Sequence, residues 1–226
     1  MLWDERAVRD NLRNRDGKRV FYQQEGDTLT PSARDYLRKE RIEVLPAAQA
    51  KQETYRLLGG GWCEEKPEHM THLNAQYLVR KDHPRIRFRG AIDTLEAHLL
   101  LCGPETEEIL DLARKLIRCD VLKEPLGEVT LGGLTQEQQR HHSHFPQEHY
   151  GIAHFMPRYT DTQEILQLNL CRCAARAAEL AAVEAFVDCD GNVQRPDILQ
   201  ALNRMSSMLY ILMLRRKATE GNSSKG

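Results

Sequence analysis

Residues 162–187, TQEILQLNLCRCAARAAELAAVEAFV, read as one helix of about seven turns, and the charges on it govern how the rest of the chain is read. At about 100° per residue, Arg172, Arg176 and Glu179 fall on the same face as Ile165, Leu168, Val183 and Phe186. Three charges are therefore expected where a helix normally buries carbon. Charge taken out of water persists when it is paired or when it holds a charged ligand, and an arginine fork suits phosphate or carboxylate. The spacing R-x-x-x-R-x-x-E stacks the three side chains on one side. Ala174, Ala175, Ala177, Ala178, Ala181 and Ala182 around them predict close packing against a neighbour. Two readings follow, an ion-pair network between helices and a polyphosphate site.

The flanking sequence is also helical. Apolar residues recur at helical spacing over 90–101 (Ile92, Leu95, Leu99), Gly103-Pro104 breaks the pattern, and a second helix is predicted over 105–122. Thr135 with Gln138 three residues later predicts a capping box for a short helix through Arg140, followed by a histidine-rich polar loop. Asp190-Gly191-Asn192 makes a turn, and Pro196 opens a last helix that reaches about Lys217. Nearer the start, Val20-Phe21-Tyr22 and Ile42-Glu43-Val44-Leu45 read as strands. Thr30-Pro31 starts a helix that ends near Lys39. The expected organisation is mainly α. A small α+β module occupies 1–58, a linker around Gly59-Gly60-Gly61 occupies 59–75, a bundle of about five helices occupies 76–217, and 218–226 form a disordered tail.

Composition narrows the function. The chain carries 32 Lys plus Arg against 33 Asp plus Glu, so no global field would hold nucleic acid or an anionic membrane. The opening MLWDERAVRD lacks the apolar core of a secretion signal, which predicts a cytoplasmic protein with its six cysteines reduced. Residues 198–214 are rich in Leu, Ile and Met, but Gln200, Asn203, Arg204, Ser206 and Ser207 interrupt them, so a buried helix is expected there instead of a membrane span.

Other groups of residues bear on chemistry. Asn203, Ser207 and Tyr210 form a polar stripe that could read a ligand or make a hydrogen-bonded core network. Asp93 lies near an expected helix start, where it either serves the helix dipole or bridges to an arginine of the long helix. Cys63, His69 and His72 could accept zinc or ferrous iron but lack a second close cysteine pair. The histidines at 141, 142, 144, 149 and 154 show no repeating ligand spacing and are expected to form a solvated or substrate-covering loop. Cys171 and Cys173 should face different directions.

The segment RPDILQALNRMSSMLYILMLRR (195–216), the R-x-x-x-R-x-x-E pattern and KDHPRIRFRGAIDTLEA (81–97) together resemble the corrinoid adenosyltransferases. The similarity is greatest to their ethanolamine-utilisation branch, and extends to GDTLTPSARDYL (26–37) and THL (71–73). The arginine pattern is shared with the propanediol-utilisation type. This resemblance implies transfer of the 5′-deoxyadenosyl group of ATP to Co(I) of cobalamin, making adenosylcobalamin for ethanolamine ammonia lyase. A non-catalytic corrinoid-binding chaperone or scaffold of the ethanolamine compartment is the alternative.

By the same resemblance, Arg172, Arg176 and Glu179 are catalytic and bind ATP, Asn203 joins them, and Asp93 salt-bridges the first arginine. Mg²⁺ accompanies the nucleotide. The family's glycine-rich ATP loop is absent, and Lys81, His83 and Arg85 are the substitutes offered for it. Phe155, or its neighbours His154 and Met156, is the expected apolar wall that displaces the lower ligand of cobalamin, with Tyr210 beside it. A homo-oligomer, dimer or trimer, is implied, with ATP at a subunit interface. A flavin reductase and the lyase are implied as partners, and association with a bacterial microcompartment as a location. No transition metal is expected to be required.

Overall fold

The computed structural model describes residues 1–15, 17–50 and 55–223, with side chains through residue 220. The chain divides into two compact units, 1–83 and 84–226. It is mainly helical, and a mixed sheet lies in the first unit.

The first unit runs β1 (Leu2–Trp3), α1 (Glu5–Asp10), β2 (Arg13–Arg15), β3 (Lys18–Gln23), β4 (Thr28–Leu29), α2 (Pro31–Lys39), β5 (Glu43–Pro46), β6 (Tyr55–Leu57), β7 (Trp62–Cys63), β8 (Met70–His72) and β9 (Tyr77–Arg80). Its seven-stranded sheet has the order β5-β3-β2-β7-β6-β9-β8. Parallel β3 and β5 pair Phe21 with Val44, and parallel β2 and β7 pair Arg13 with Trp62. Val8, Leu12, Phe21, Ala33, Leu37 and Ile42 form the core, and Trp3 meets Phe21 edge-on at 5.2 Å. Helix α2 starts as the sequence predicts, with the Thr30 hydroxyl accepting from Ala33 N at 3.3 Å and Pro31 in the first turn.

Residues 59–75, expected as a linker, carry β7 and β8 instead. Gly61 is what lets the chain enter β7. Its φ is +82°, and a Cβ there would lie 2.7 Å from the Leu12 carbonyl oxygen, so the approach of the two strands requires glycine.

The second unit holds α3 (Pro84–Cys102), α4 (Glu107–Leu122), a hairpin of β10 (Thr130–Leu131) and β11 (Leu134–Thr135), then α5 (Gln136–His144), α6 (Pro146–Tyr150), α7 (Gln163–Phe186) and α8 (Pro196–Ser223). Helix α3 begins at Pro84, six residues before the predicted start, with Gly90 inside it; proline suits a first helical turn, and packing outweighs the glycine's cost of about 1 kcal/mol. The Thr135–Gln138 capping box is complete, but α5 continues to His144 and Pro146 starts α6. The predicted polar loop is therefore largely two short helices. Helix α8 runs to Ser223, so 218–223 are helical and not a disordered tail; 224–226 lie outside the described residues.

Helices α3 and α7 run antiparallel, with Phe88 edge-on to Phe186 at 5.3 Å near one end and the Cys102 and Cys171 sulfurs 3.3 Å apart near the other. Phe88, Ile92, Leu95 and Leu99 of α3 share one core with Ile165, Leu168, Cys171, Ala175, Ala178, Ala182 and Phe186 of α7 and with Ile198, Leu202, Met205 and Leu209 of α8. The small alanines let the helix backbones approach closely. Among the described residues, no helix is long and apolar enough to cross a membrane.

Candidate functional site

The buried stripe of α7 is centred about 80° round the helix from the arginines. Arg172 and Glu179 are half-buried, Arg176 is exposed and Val183 is 41% exposed. The charges therefore lie at the edge of the apolar stripe, which corrects the expectation that they project into it. They face a cleft beside antiparallel α8.

This cleft, about 430 Å³, is lined by Arg172 and Arg176 of α7, by Asn203, Ser206, Ser207 and Tyr210 of α8, by His154–Pro157 and by Ser143 and His144 at the end of α5. The Arg172 guanidinium lies over the Tyr210 ring, 5.4 Å from its centroid, and Nη1 donates to Asn169 Oδ1 at 3.4 Å. Among the described residues, neither Arg172 nor Arg176 has a carboxylate within 4.0 Å. Asn203 donates to Glu179 Oε1 at 3.1 Å and accepts from Arg204 Nη2. Burial, and then the neighbouring Arg140, lowers the pKa of Arg204 against the raising influence of Glu179. Positive charge exceeds negative charge here, which suits a multiply charged anion.

Tyr210 ties the facing segment down. Phe155 N donates to the Tyr210 hydroxyl at 3.1 Å, and the two rings stack at 6.0 Å. His154 Nε2 lies 3.1 Å from the His144 carbonyl oxygen, which can only accept, so the proton belongs on Nε2. His154 Nδ1, 3.2 Å from the Tyr210 oxygen, then shares the single hydroxyl proton with the Phe155 carbonyl oxygen, to which the hydroxyl donates at 3.3 Å. Phe155 is half-buried against this network, whereas Met156 is 82% exposed.

The structure thus gathers Arg172, Arg176, Asn203, Phe155, Met156 and Tyr210 around one cleft, with Glu179 bonded to Asn203. It does not gather the rest. Asp93 is exposed in the middle of α3, away from any helix start, and among the described residues it has no ion pair, so neither the capping role nor a bridge to Arg172 within the chain is realised. Arg85 and Arg89 both bind the buried Asp120 of α4. Arg85 also lies over Phe186, 5.3 Å from its centroid, which puts it about 21 Å along α7 from Arg172. Lys81 and His83 belong to the first unit. Among the described residues, Cys63, His69 and His72 form no three-ligand group; burial raises the Cys63 thiol pKa, and His72 meets the ring of Tyr55 at 5.9 Å. Cys171 is buried and Cys173 exposed, as their spacing predicts.

The sequence pattern does not single out Ser143, Ser206 or Arg204 as site residues, and it offers His144 only as part of a solvated or substrate-covering loop. Arg204 and Ser206 stood inside the quoted segment 195–216. The place of Ser143 and His144 in the cleft depends on α5 extending beyond Arg140, which local pattern did not signal.

Residues 62–216 match the family profile described as cobalamin adenosyltransferase. The chain belongs to that family. It is 31% identical over 217 aligned residues to the corrinoid adenosyltransferase EutT of Salmonella typhimurium strain LT2, which covers 82% of this chain and 81% of that protein. To the corrinoid adenosyltransferase EutT of Escherichia coli strain K12 it is 32% identical with the same coverage. The family match takes in the whole of α3, α7 and the cleft, so the resemblance carried by 81–97, 195–216 and the arginine pattern stands, and the chain is a transferase.

Proposed function

We propose that this chain transfers the 5′-deoxyadenosyl group of ATP to Co(I) of cobalamin, supplying adenosylcobalamin to ethanolamine ammonia lyase. The observation that carries the reading is a pair of arginines, Arg172 and Arg176, that line a polar cleft with no carboxylate of the described chain to neutralise them. In the reaction the cobalt electron pair attacks C5′ and becomes the Co–C bond, while the C5′–O bond breaks and the triphosphate leaves with the two electrons of that broken bond. Cobalt is oxidised from Co(I) to Co(III). The attacking metal is itself a strong nucleophile, so the protein has to orient the nucleotide and stabilise the leaving anion, which forked guanidinium groups do well.

Arg172 is steadied over Tyr210 and Arg176 reaches into the open cleft, so both are assigned to the phosphate chain. Asn203, held between Glu179 and Arg204, is assigned to the nucleotide. The Glu179 carboxylate beside the cleft fits a Mg²⁺ ion held by one protein carboxylate and the nucleotide's own phosphates, where the ion would neutralise phosphate charge. Phe155 and Met156, anchored through Tyr210, are assigned to the apolar wall against the corrinoid, where losing the lower ligand makes Co(II) easier to reduce.

Asp93 is exposed, and its bridge to Arg172 is assigned to a neighbouring copy in a homo-oligomer, dimer or trimer. Lys81 and Arg85 receive no nucleotide role in this reading. A flavin reductase is the electron source proposed, and the cytoplasm, in or beside a microcompartment, the location.

The test is adenosylation of reduced cobalamin with ATP and Mg²⁺, followed by the light-sensitive cobalt–carbon spectrum. Wild-type protein turns over, and Arg176→Ala loses about 10²-fold or more with unchanged helical circular dichroism. A wild-type chain that binds cobalamin without turnover is the chaperone or scaffold instead.

A further inference from the structure

Outside the cleft, the corner between α5 and α6 gathers a second set of chemically active side chains. Phe145 N donates to the His141 carbonyl at 2.9 Å, Pro146 opens α6, and the chain folds back so that its next turn lies under His141. His141 Nδ1 and His149 Nε2 end 2.9 Å apart, and a carboxylate oxygen of Glu148 joins them with all three ligand atoms within 4.8 Å of one another. A four-coordinate ion with bonds of about 2.0–2.2 Å holds its ligand atoms about 3.3 Å apart, so small rotamer changes convert this cluster into a coordination sphere.

The surroundings fix the rings. His142 stacks on His149 at 3.6 Å and 10°, and His142 Nδ1 lies 2.9 Å from the Tyr150 hydroxyl. His141 packs against Phe145 at 4.7 Å. Two imidazoles and a carboxylate are the donor set of open zinc sites, and imidazole nitrogen selects zinc, ferrous iron or cobalt(II) over magnesium or calcium.

We propose that His141, Glu148 and His149 bind one divalent transition-metal ion of the zinc class at the α5–α6 corner. The ion acts as a staple. Ser143 and His144 follow on α5 and line the cleft, and the His144 carbonyl accepts from His154, so fixing the corner fixes that wall. No step of the transfer reaction passes through it. The site departs from the sequence expectation of a metal-free chain because residues 141 and 149 are brought together by a helix corner that spacing alone did not signal.

The test uses the full untagged chain, stripped with a chelator and titrated with Co²⁺ alone, reading the visible absorption of a four-coordinate nitrogen-oxygen site, then displaced with Zn²⁺. The expected result is one equivalent bound, with affinity falling at least about 100-fold in His149→Ala and in His141→Ala and unchanged in Cys63→Ala. Glu148→Gln keeps the fold and weakens binding about 10-fold or more, which covers the case of a histidine variant that fails to fold. Absence of stoichiometric Co²⁺ binding, binding retained in His149→Ala, or binding lost in Cys63→Ala overturns the proposal, the first leaving only two hydrogen-bonded rings.

Discussion

Two arginine pairs in this molecule have the same spacing and opposite fates. Arg85 and Arg89 on α3, like Arg172 and Arg176 on α7, are R-x-x-x-R, one helical turn apart. The first pair converges on Asp120, whose side chain is 0% exposed, and is used up in holding α3 to α4. The second pair looks into a cleft and has no carboxylate within 4.0 Å among the described residues. Spacing along a helix brings two cations together; a partner more than thirty residues away decides whether they hold the fold or wait for a ligand.

The contrast can be broken most severely at Asp120. Asp120→Ala leaves two partly buried guanidinium groups without their counter-charge, and chemical denaturation should show a loss of about 3–5 kcal/mol. A loss below 1 kcal/mol would mean that the α3 pair is as idle as the α7 pair. Next comes Arg172→Ala. Stability should change by less than about 1 kcal/mol, since the residue loses one long hydrogen bond and one ring contact, while turnover falls by about 10²–10³-fold, or about 2.7–4 kcal/mol at the transition state. If the midpoint of denaturation fell as far as for Asp120→Ala, the two pairs would be alike.

Tyr210→Phe sharpens the comparison on the ligand side. It keeps the ring under Arg172 and removes the hydroxyl that holds Phe155 and His154, so the facing segment should loosen at a cost of about 1–2 kcal/mol. Hydrogen exchange at the Phe155 amide should rise, and unchanged exchange would separate Tyr210 from the wall.

The smallest effect concerns an arginine pairing of a third kind. Arg195 and Asp197 bind each other at the start of α8, and Asp197 accepts from Leu126 N at 3.0 Å. The hydrogen bond from Arg195, opposed by burial, holds the Asp197 carboxyl down to about 2. A carboxylate with a depressed folded-state pKa contributes stability above the unfolded value near 3.9, and that contribution is lost as pH falls from about 4 towards 2. Because Asp197 is partly exposed, solvent screening limits the effect to about 1 kcal/mol. Denaturation midpoints of wild type and Asp197→Asn should differ at pH 6 and converge near pH 2; a constant gap would show that the lost helix-start contacts dominate over charge.

How much of this was legible in the sequence depended on whether the deciding contact was local. Thr30-Pro31 and Thr135 with Gln138 announce helix starts because a cap reaches only two or three residues. The strands between 55 and 80 are two to four residues long, and their sheet order is not their chain order, so no alternation marks them. The local pattern starts the helix at Gly90, yet Phe88 and Ile92 on either side of it are fully buried, and their packing carries the helix through.

The site shows the same division. Arg172, Arg176, Asn203 and Tyr210 were found by helical spacing and resemblance, since two long antiparallel helices keep spacing and neighbourhood in step. The two arginines nevertheless lie about a quarter-turn from the buried face. The stripe actually buried passes through Cys171, Ala175 and Ala178, small residues whose weak hydrophobic signal was outweighed by Ile165, Leu168 and Phe186. Asp93 and Arg85 rest on the resemblance: within the chain Asp93 stands exposed in the middle of α3, and Arg85, offered for the missing ATP loop, is bound to Asp120.

The last turns of α8 clamp the opening of α7. Lys217 grips Asp161 at 2.7 Å and Glu220 at 3.3 Å, Glu220 takes the Thr162 hydroxyl at 2.6 Å, and Arg216 reaches Glu105 at 2.8 Å. Trimming the chain after Lys217, as one would trim a dispensable tail, would free the threshold of the helix that carries both cleft arginines. Anyone shortening this protein for crystallisation, or fusing a reporter to it, would do well to leave Glu220 in place.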